Sequence, residues 1–290
     1  MRKKVTLRRL AEMKAGREPI VMVTAYDFPT ARVAERAEVD VVLVGDSGAQ
    51  VVLGHDSTVA VTVDEMLVLA GAVRRGVQSA FVVCDLPFGS TEISDEQAVA
   101  TAMRFVKEAG ADAVKIEGGG RARLSRVRAI ADAGIPVVAH VGLTPQTAVA
   151  LGGLRAQGRT ADSAARFVRE ALAVQDAGAA LLVIEAVPAE VVDVVLPEIG
   201  IPVIGIGAGR ADGQVLVLHD LLGITEGKAA TFVKRYARIG DDMVEGVQAY
   251  AREVRGGAFP APEHGYSANE EALAAARAEL EARDGSSTAW

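Results

Sequence analysis

Eight short runs of aliphatic and β-branched residues recur along this 290-residue chain, and they limit its fold more than any other feature. They are IVMVTA (20–25), VDVVLVG (39–45), SAFVVCD (79–85), ADAVKIE (111–117), IPVVAHV (135–141), AALLVIE (179–185), IPVIGIG (201–207) and QVLVLHD (214–220). Each has strand length and is apolar without strict alternation, the pattern of strands covered on both faces in parallel sheets. Between them, residues 95–110 and 161–178 return apolar side chains at three- and four-residue steps, as an amphipathic helix does. Both stretches end in glycine, suited to the left-handed position after a helix. Parallel strands need crossovers, and helices are the usual ones. The spacing therefore predicts an α/β fold, a (β/α)8 TIM barrel, as a single domain over residues 1–266. The rival is an open doubly wound sheet, which would carry a GxGxxG turn after strand 1 with an acid further on; no such turn follows strand 1.

Beyond the eight runs, residues 222–255 read as further helix closing the outer ring, and GGAFPAPEHGY (256–266) as a loop. The segment 267–290 reads as a C-terminal helix or tail, opened by a capping-box pattern of Ser267 and Glu270 and ending in a disordered GSSTAW.

Charge and composition narrow the function. Lys and Arg number 31 against 38 Asp and Glu, a formal charge of −7, so no basic field favours nucleic acid. One cysteine, Cys84, rules out an intrachain disulfide and a multi-thiolate zinc site, and suits a reducing compartment. No apolar run is long enough to span a membrane, and the basic opening MRKKVTLRRL lacks the apolar core of a signal peptide. A cytoplasmic enzyme or binding protein is the expectation.

Active sites of such barrels sit at the C-terminal ends of the strands. Here those ends read Thr24-Ala25-Tyr26-Asp27, Gly45-Asp46-Ser47, Asp85, Lys115-Ile116-Glu117, His140, Glu185, Gly205 to Gly209, and His219-Asp220. Asp46, Asp85 and Glu117 close three consecutive strands, and oxygen donors without cysteine or paired histidines favour Mg²⁺. The plainer reading is that each acid caps a helix or pairs with a surface arginine. Lys115 and Glu117, two apart on one strand, point to the same side. Lys115 balances either a substrate carboxylate or the neighbouring acids; His140 is either a ligand donor or a structural histidine. Glu185 stands apart from the metal acids, as a general base should, with a capping role as its alternative. GIGAG (205–209) reads as a tight turn rather than a phosphate cradle, and Cys84 as a buried small hydrophobe. GHDST (54–58) and GLTPQ (142–146) are polar loops placed as lids, silent on chemistry.

The stretches TAYD, VGDS, VVLGHDSTVAVTVDEM, AVRRG, DLPFGS, AGADAVKIEGG, GLTPQT, QGR, IEAVP, IPVIGIGAG and DGQVLVLHD occur in this order. In that order they resemble the ketopantoate hydroxymethyltransferases, of the phosphoenolpyruvate/pyruvate-binding barrel superfamily, over about residues 5–266. The resemblance implies transfer of a hydroxymethyl group from 5,10-methylenetetrahydrofolate to 3-methyl-2-oxobutanoate, giving 2-dehydropantoate in pantothenate biosynthesis through a Mg²⁺-bound enolate. It implies Asp46, Asp85 and Glu117 as metal acids, with water between Glu117 and the ion as one possibility. Asp46, Ser47, Asp85, Lys115 and His140 would surround the ketoacid, and Glu185 would accept the proton. It also implies a homo-oligomer, commonly a decamer of two stacked rings. Two departures stand out: Gly48-Ala49-Gln50 replaces the usual Leu-Gly-Met, and only Arg210 and Ala211 separate GIGAG from DGQ. A C–C lyase or mutase on the same barrel, and a non-catalytic sensing module, are the competing functions.

Overall fold

The computed structural model describes residues 2–227 and 229–286. The chain divides into two compact units, Met1–Arg238 and Ile239–Trp290. The first unit thus ends short of the expected 1–266 barrel domain.

In the first unit eight parallel strands, β1 (Ile20–Thr24), β2 (Val41–Val44), β3 (Phe81–Asp85), β4 (Ala113–Glu117), β5 (Val137–Gly142), β6 (Leu181–Glu185), β7 (Val203–Ile206) and β8 (Gly213–Leu216), follow one another in space and close when β8 pairs with β1. Helices α1 (Leu7–Ala15), α2 (Phe28–Arg36), α3 (Gly48–Val51), α4 (Val63–Gly76), α5 (Asp95–Ala109), α6 (Arg121–Asp132), α7 (Ala161–Asp176), α8 (Ala189–Val195) and α9 (Leu218–Leu221) complete it. The expected (β/α)8 barrel is present. Local signals agree with it: Thr62 and Thr160 form capping boxes at the starts of α4 and α7. Gly110 ends α5 in the left-handed conformation, φ 69°.

Two connections differ from the sequence reading. The link from β7 to β8, residues 207–212, contains no helix. The run QVLVLHD is not one strand: β8 stops at Leu216, and the Leu218 N–H donates to the Thr24 hydroxyl (2.8 Å), turning His219 and Asp220 into the short α9.

Side chains two apart on a strand share a face, so each strand feeds two cores. Val42, Val44, Val82, Cys84, Val114 and Ile116 pack outward against the helices, which makes Cys84 the expected buried hydrophobe. Val41, Leu43, Phe81, Val83, Ala113 and Val183 fill the barrel interior together with Leu10 and Met13 of α1. The interior face changes character upward: Phe81 and Val83 lead to Asp85, Ala113 to Lys115 and Glu117, Val138 to His140, and Val183 to Glu185. That switch builds the site.

The second unit holds α10 (Ile239–Gly256) and α11 (Glu270–Ser286). Residues 222–227 and 229–238 are irregular apart from two short turns, so the helix expected over 222–255 occupies only its second half. Asn269, rather than Ser267, caps α11, its side chain accepting from the Ala272 N–H (2.8 Å). Of the expected disordered GSSTAW, residues 287–290 lie outside the described residues.

Candidate active site

A cavity of about 1150 Å³ opens at the C-terminal ends of the strands and contains Asp46, Ser47, Asp85, Lys115, His140 and Glu185 on its wall, together with Glu117. Five of these, Asp46, Asp85, Lys115, Glu117 and His140, are each 5% exposed or less. Strand register sets the neighbours: Asp85 pairs with Lys115, and Glu117 with His140.

Lys115 Nζ lies 3.1 Å from Asp85 Oδ1, 3.9 Å from Glu117 Oε1 and 3.2 Å from His140 Nδ1. Its first partner is therefore Asp85. His140 lies between two acids, with Nδ1 3.3 Å from Glu117 Oε1 and Nε2 3.3 Å from Glu185 Oε2. Glu185, read as standing apart, is thus tied to the cluster through one imidazole. The Asp46 N–H donates to Asp85 Oδ2 (3.0 Å), and Ser47 Oγ shares a hydrogen bond with the Tyr26 hydroxyl (2.8 Å).

Burial and charge pull in opposite directions here. Burial, then the charges of Asp85 and Glu117, push the Asp46 carboxyl well above its usual range. Burial also raises Asp85, though Lys115 opposes it. Burial acts to lower Lys115, but Asp85, Glu117 and Asp46 outweigh it and raise the ammonium. His140 is lowered by burial and by Lys115, yet the Glu117 and Glu185 carboxylates beside its two nitrogens prevail and hold it up at about 9. Glu117 resists its burial through His140 and stays low. Asp46, Asp85 and Glu117 thus crowd one buried ammonium, and the repulsion acting on Asp46 is of the kind that a divalent cation would relieve.

The remaining strand ends take other tasks. Asp27 caps α2 in a capping box and is exposed. Asp220 borders the cavity from α9, while the His219 ring stacks at 5.3 Å on Tyr26. GIGAG makes the expected turn, and its close neighbour is Phe232: a Cβ on Gly207 would lie 2.6 Å from that ring.

The amino-acid sequence matches the ketopantoate hydroxymethyltransferase family over residues 4–262. The chain belongs to that family. Among its relatives, the 3-methyl-2-oxobutanoate hydroxymethyltransferase of Heliobacterium modesticaldum is 49% identical over 272 residues, 93% of this chain and 98% of that protein. The enzyme of the same name from Rhodococcus jostii is 52% identical over 266 residues, 91% of each chain. Among solved structures, phosphoenolpyruvate phosphomutase from Streptomyces platensis subsp. rosaceus superposes with a TM-score of 0.60 at 19% identity, covering 96% of this chain and 97% of that one. That likeness is one of fold.

A ketopantoate hydroxymethyltransferase is expected to use Mg²⁺, and the donor set fits a hard cation. Among the described residues no three His, Cys, Asp or Glu side chains are gathered into a ready-made metal cage. Mg²⁺ does not require one, since it commonly takes one or two carboxylates and fills its other positions with water and substrate oxygens. Asp85 Oδ1 is buried and close to Lys115 but out of hydrogen-bond alignment, so it accepts no aligned bond. Glu117 differs: Oε1 faces His140 and Oε2 accepts the Gln146 N–H (3.0 Å). An acid engaged on both oxygens suits contact through water better than direct ligation.

Within this family's pattern the unusual Gly48 has a local reason. A Cβ there would lie 2.8 Å from the Tyr26 ring and 3.1 Å from Leu69, so glycine admits the ring whose hydroxyl meets Ser47. Tyr26 and Gln146 were not singled out by sequence. Tyr26 carried a signal, its place at the end of strand 1; Gln146 is neutral and carried none.

Proposed function

We propose that the protein transfers a hydroxymethyl group from 5,10-methylenetetrahydrofolate to 3-methyl-2-oxobutanoate, forming 2-dehydropantoate. The observation that carries this reading is the crowding of Asp46, Asp85 and Glu117 around Lys115 at the mouth, with Glu185 linked to them through His140. Asp46 and Asp85 would hold Mg²⁺, with Glu117 behind them. When bound there, a divalent cation supplies polarisation of the substrate ketone, which acidifies the C3 hydrogen.

The residues do the rest. Lys115 offsets the ketoacid carboxylate, and Ser47, held by Tyr26, orients it. Glu185, at the cavity wall with its side chain 16% exposed, takes the C3 proton. His140, with Nε2 3.3 Å from the Glu185 carboxylate, steadies it before transfer. C3 then bonds to the methylene carbon of the donor, whose bonds to the two folate nitrogens break; water supplies the hydroxyl, and the proton taken from C3 together with the other water proton goes to those nitrogens as tetrahydrofolate leaves. The same reading carries with it a cytoplasmic homo-oligomer, a decamer as the family resemblance implies; among the described residues no helix is long and apolar enough to cross a membrane.

The test is direct. Purified protein with 3-methyl-2-oxobutanoate, 5,10-methylenetetrahydrofolate and Mg²⁺ should yield 2-dehydropantoate, identified by mass spectrometry. A folded, Mg²⁺-supplied protein that yields none refutes the assignment.

A further inference from the structure

The GLTPQ loop, without an evident chemical task in the sequence, meets the acid cluster directly. After β5 the chain turns at Gly142, and the Leu143 N–H donates to the Glu185 carbonyl (2.8 Å). A tight turn follows, closed by the Thr147 N–H to the Thr144 carbonyl (3.0 Å) and by their two hydroxyls at 2.6 Å. It delivers Gln146 over the strand ends, only 7% exposed.

There Gln146 makes three bonds. Its side-chain Nε2 donates to Asp46 Oδ2 (2.8 Å) and to the Leu86 carbonyl (3.0 Å), and its backbone N–H donates to Glu117 Oε2 (3.0 Å). Both side-chain partners are acceptors, so the amide has one satisfactory orientation, nitrogen toward Asp46. One residue from the β5 loop therefore joins the ends of β2, β3 and β4. The consequence is asymmetric. Gln146 occupies Asp46 Oδ2, and the Asp46 N–H occupies Asp85 Oδ2, so Asp46 Oδ1 faces the cavity without a hydrogen bond while Asp85 Oδ1 faces Lys115.

We propose that Gln146 is the positioning residue of the cation site: its side-chain amide sets the Asp46 carboxylate with one oxygen free, while its backbone holds Glu117. The inference rests on the reading that these acids bind a divalent cation. Outer partners of metal-ligating carboxylates typically matter by about 10- to 100-fold in affinity.

Gln146→Met keeps the length of the side chain and the backbone bond to Glu117, and removes only the two amide donors. Mn²⁺ binding, read by electron paramagnetic resonance without substrate, should weaken by about 10- to 100-fold in this variant. Thr147→Ala, which loosens the same turn without touching an acid, should bind Mn²⁺ as the wild type does. If Gln146→Met does not fold, Gln146→Asn, whose amide is withdrawn by one methylene, should show the same loss. Unchanged Mn²⁺ affinity in the folded Gln146 variant, or an equal loss in Thr147→Ala, overturns the proposal. A wild-type protein that binds no Mn²⁺ overturns it together with the metal reading, whereas wild-type binding with an unaffected Gln146 variant removes this inference alone.

Discussion

The two ends of the barrel both collect acids, and they treat them in opposite ways. At the N-terminal end, Asp40, Asp112 and Asp212 each stand one residue before a strand, β2, β4 and β8. Each carboxylate accepts the N–H of a neighbouring strand: Val21 (2.9 Å), Val82 (2.8 Å) and Val203 (2.8 Å). Each also meets a cation from the first residues of the chain: Arg2, Lys4 and Lys14 respectively. Glu35 does similar work for the Ser79 and Ala80 N–H groups. At the C-terminal end Asp46, Asp85 and Glu117 are more deeply buried and crowd one another around Lys115. Acids of the first kind hold the barrel together; those of the second are crowded around a cavity, where a bound cation would relieve them. This matches the general division of such barrels into a stabilising and a reactive face.

Four substitutions probe that contrast, the strongest at the mouth. Glu185→Gln should reduce C3 hydrogen exchange of the ketoacid by about 10²- to 10⁴-fold, the usual weight of a general base, with Tm nearly unchanged. Exchange rate and thermal melting are the two readouts. Lys115→Met removes the cation paired with Asp85 and strands buried charge. Without divalent cations it should lose about 3–5 kcal/mol in denaturant unfolding, as broken buried pairs do.

The opposite end should respond in stability alone. Asp112→Ala leaves the buried Val82 N–H without its partner and Lys4 with only the Ala80 carbonyl, costing about 1–3 kcal/mol by denaturant titration while kcat stays at the wild-type value. A fall in kcat with stability intact would erase the distinction between the two ends.

The smallest effect concerns pH. Burial raises the Glu35 carboxyl, but hydrogen bonds from Ser79 and the 78–80 backbone prevail and lower it below the ordinary 4.5. Its folded form therefore prefers the charged state, so its stabilisation is present above about pH 4.5 and is lost as the pH falls through the lower folded value. Because Glu35 is half-buried, Glu35→Gln should cost about 1 kcal/mol at pH 7. The difference from wild type should vanish in acid; a constant difference from pH 7 to pH 3 would contradict the linkage.

The strands were legible because buried parallel strands need unbroken aliphatic runs, and the mouth because Lys115 and Glu117, two apart, must share a face with the end of β3. Position along such a run was less legible. Nothing in QVLVLHD marks where the chain leaves the sheet, since that depends on the Thr24 hydroxyl, far away in sequence, capturing the Leu218 N–H. The missing helix between β7 and β8 reflects the short spacing of the last two runs. Gln146 escaped notice because a neutral side chain carries no electrostatic signature, and one of its bonds is made by the backbone. The N-terminal cations were read only for targeting; their partners lie up to 198 positions away, as Lys14 and Asp212 do.

The most direct test of the charged mouth as an enolising site is proton NMR of 3-methyl-2-oxobutanoate in D₂O, with Mg²⁺ and with chelator, before any folate is added. The C3 proton signal should disappear with Mg²⁺ and persist with chelator and in Glu185→Gln. Persistence of that signal with folded, Mg²⁺-supplied wild-type protein would contradict the account.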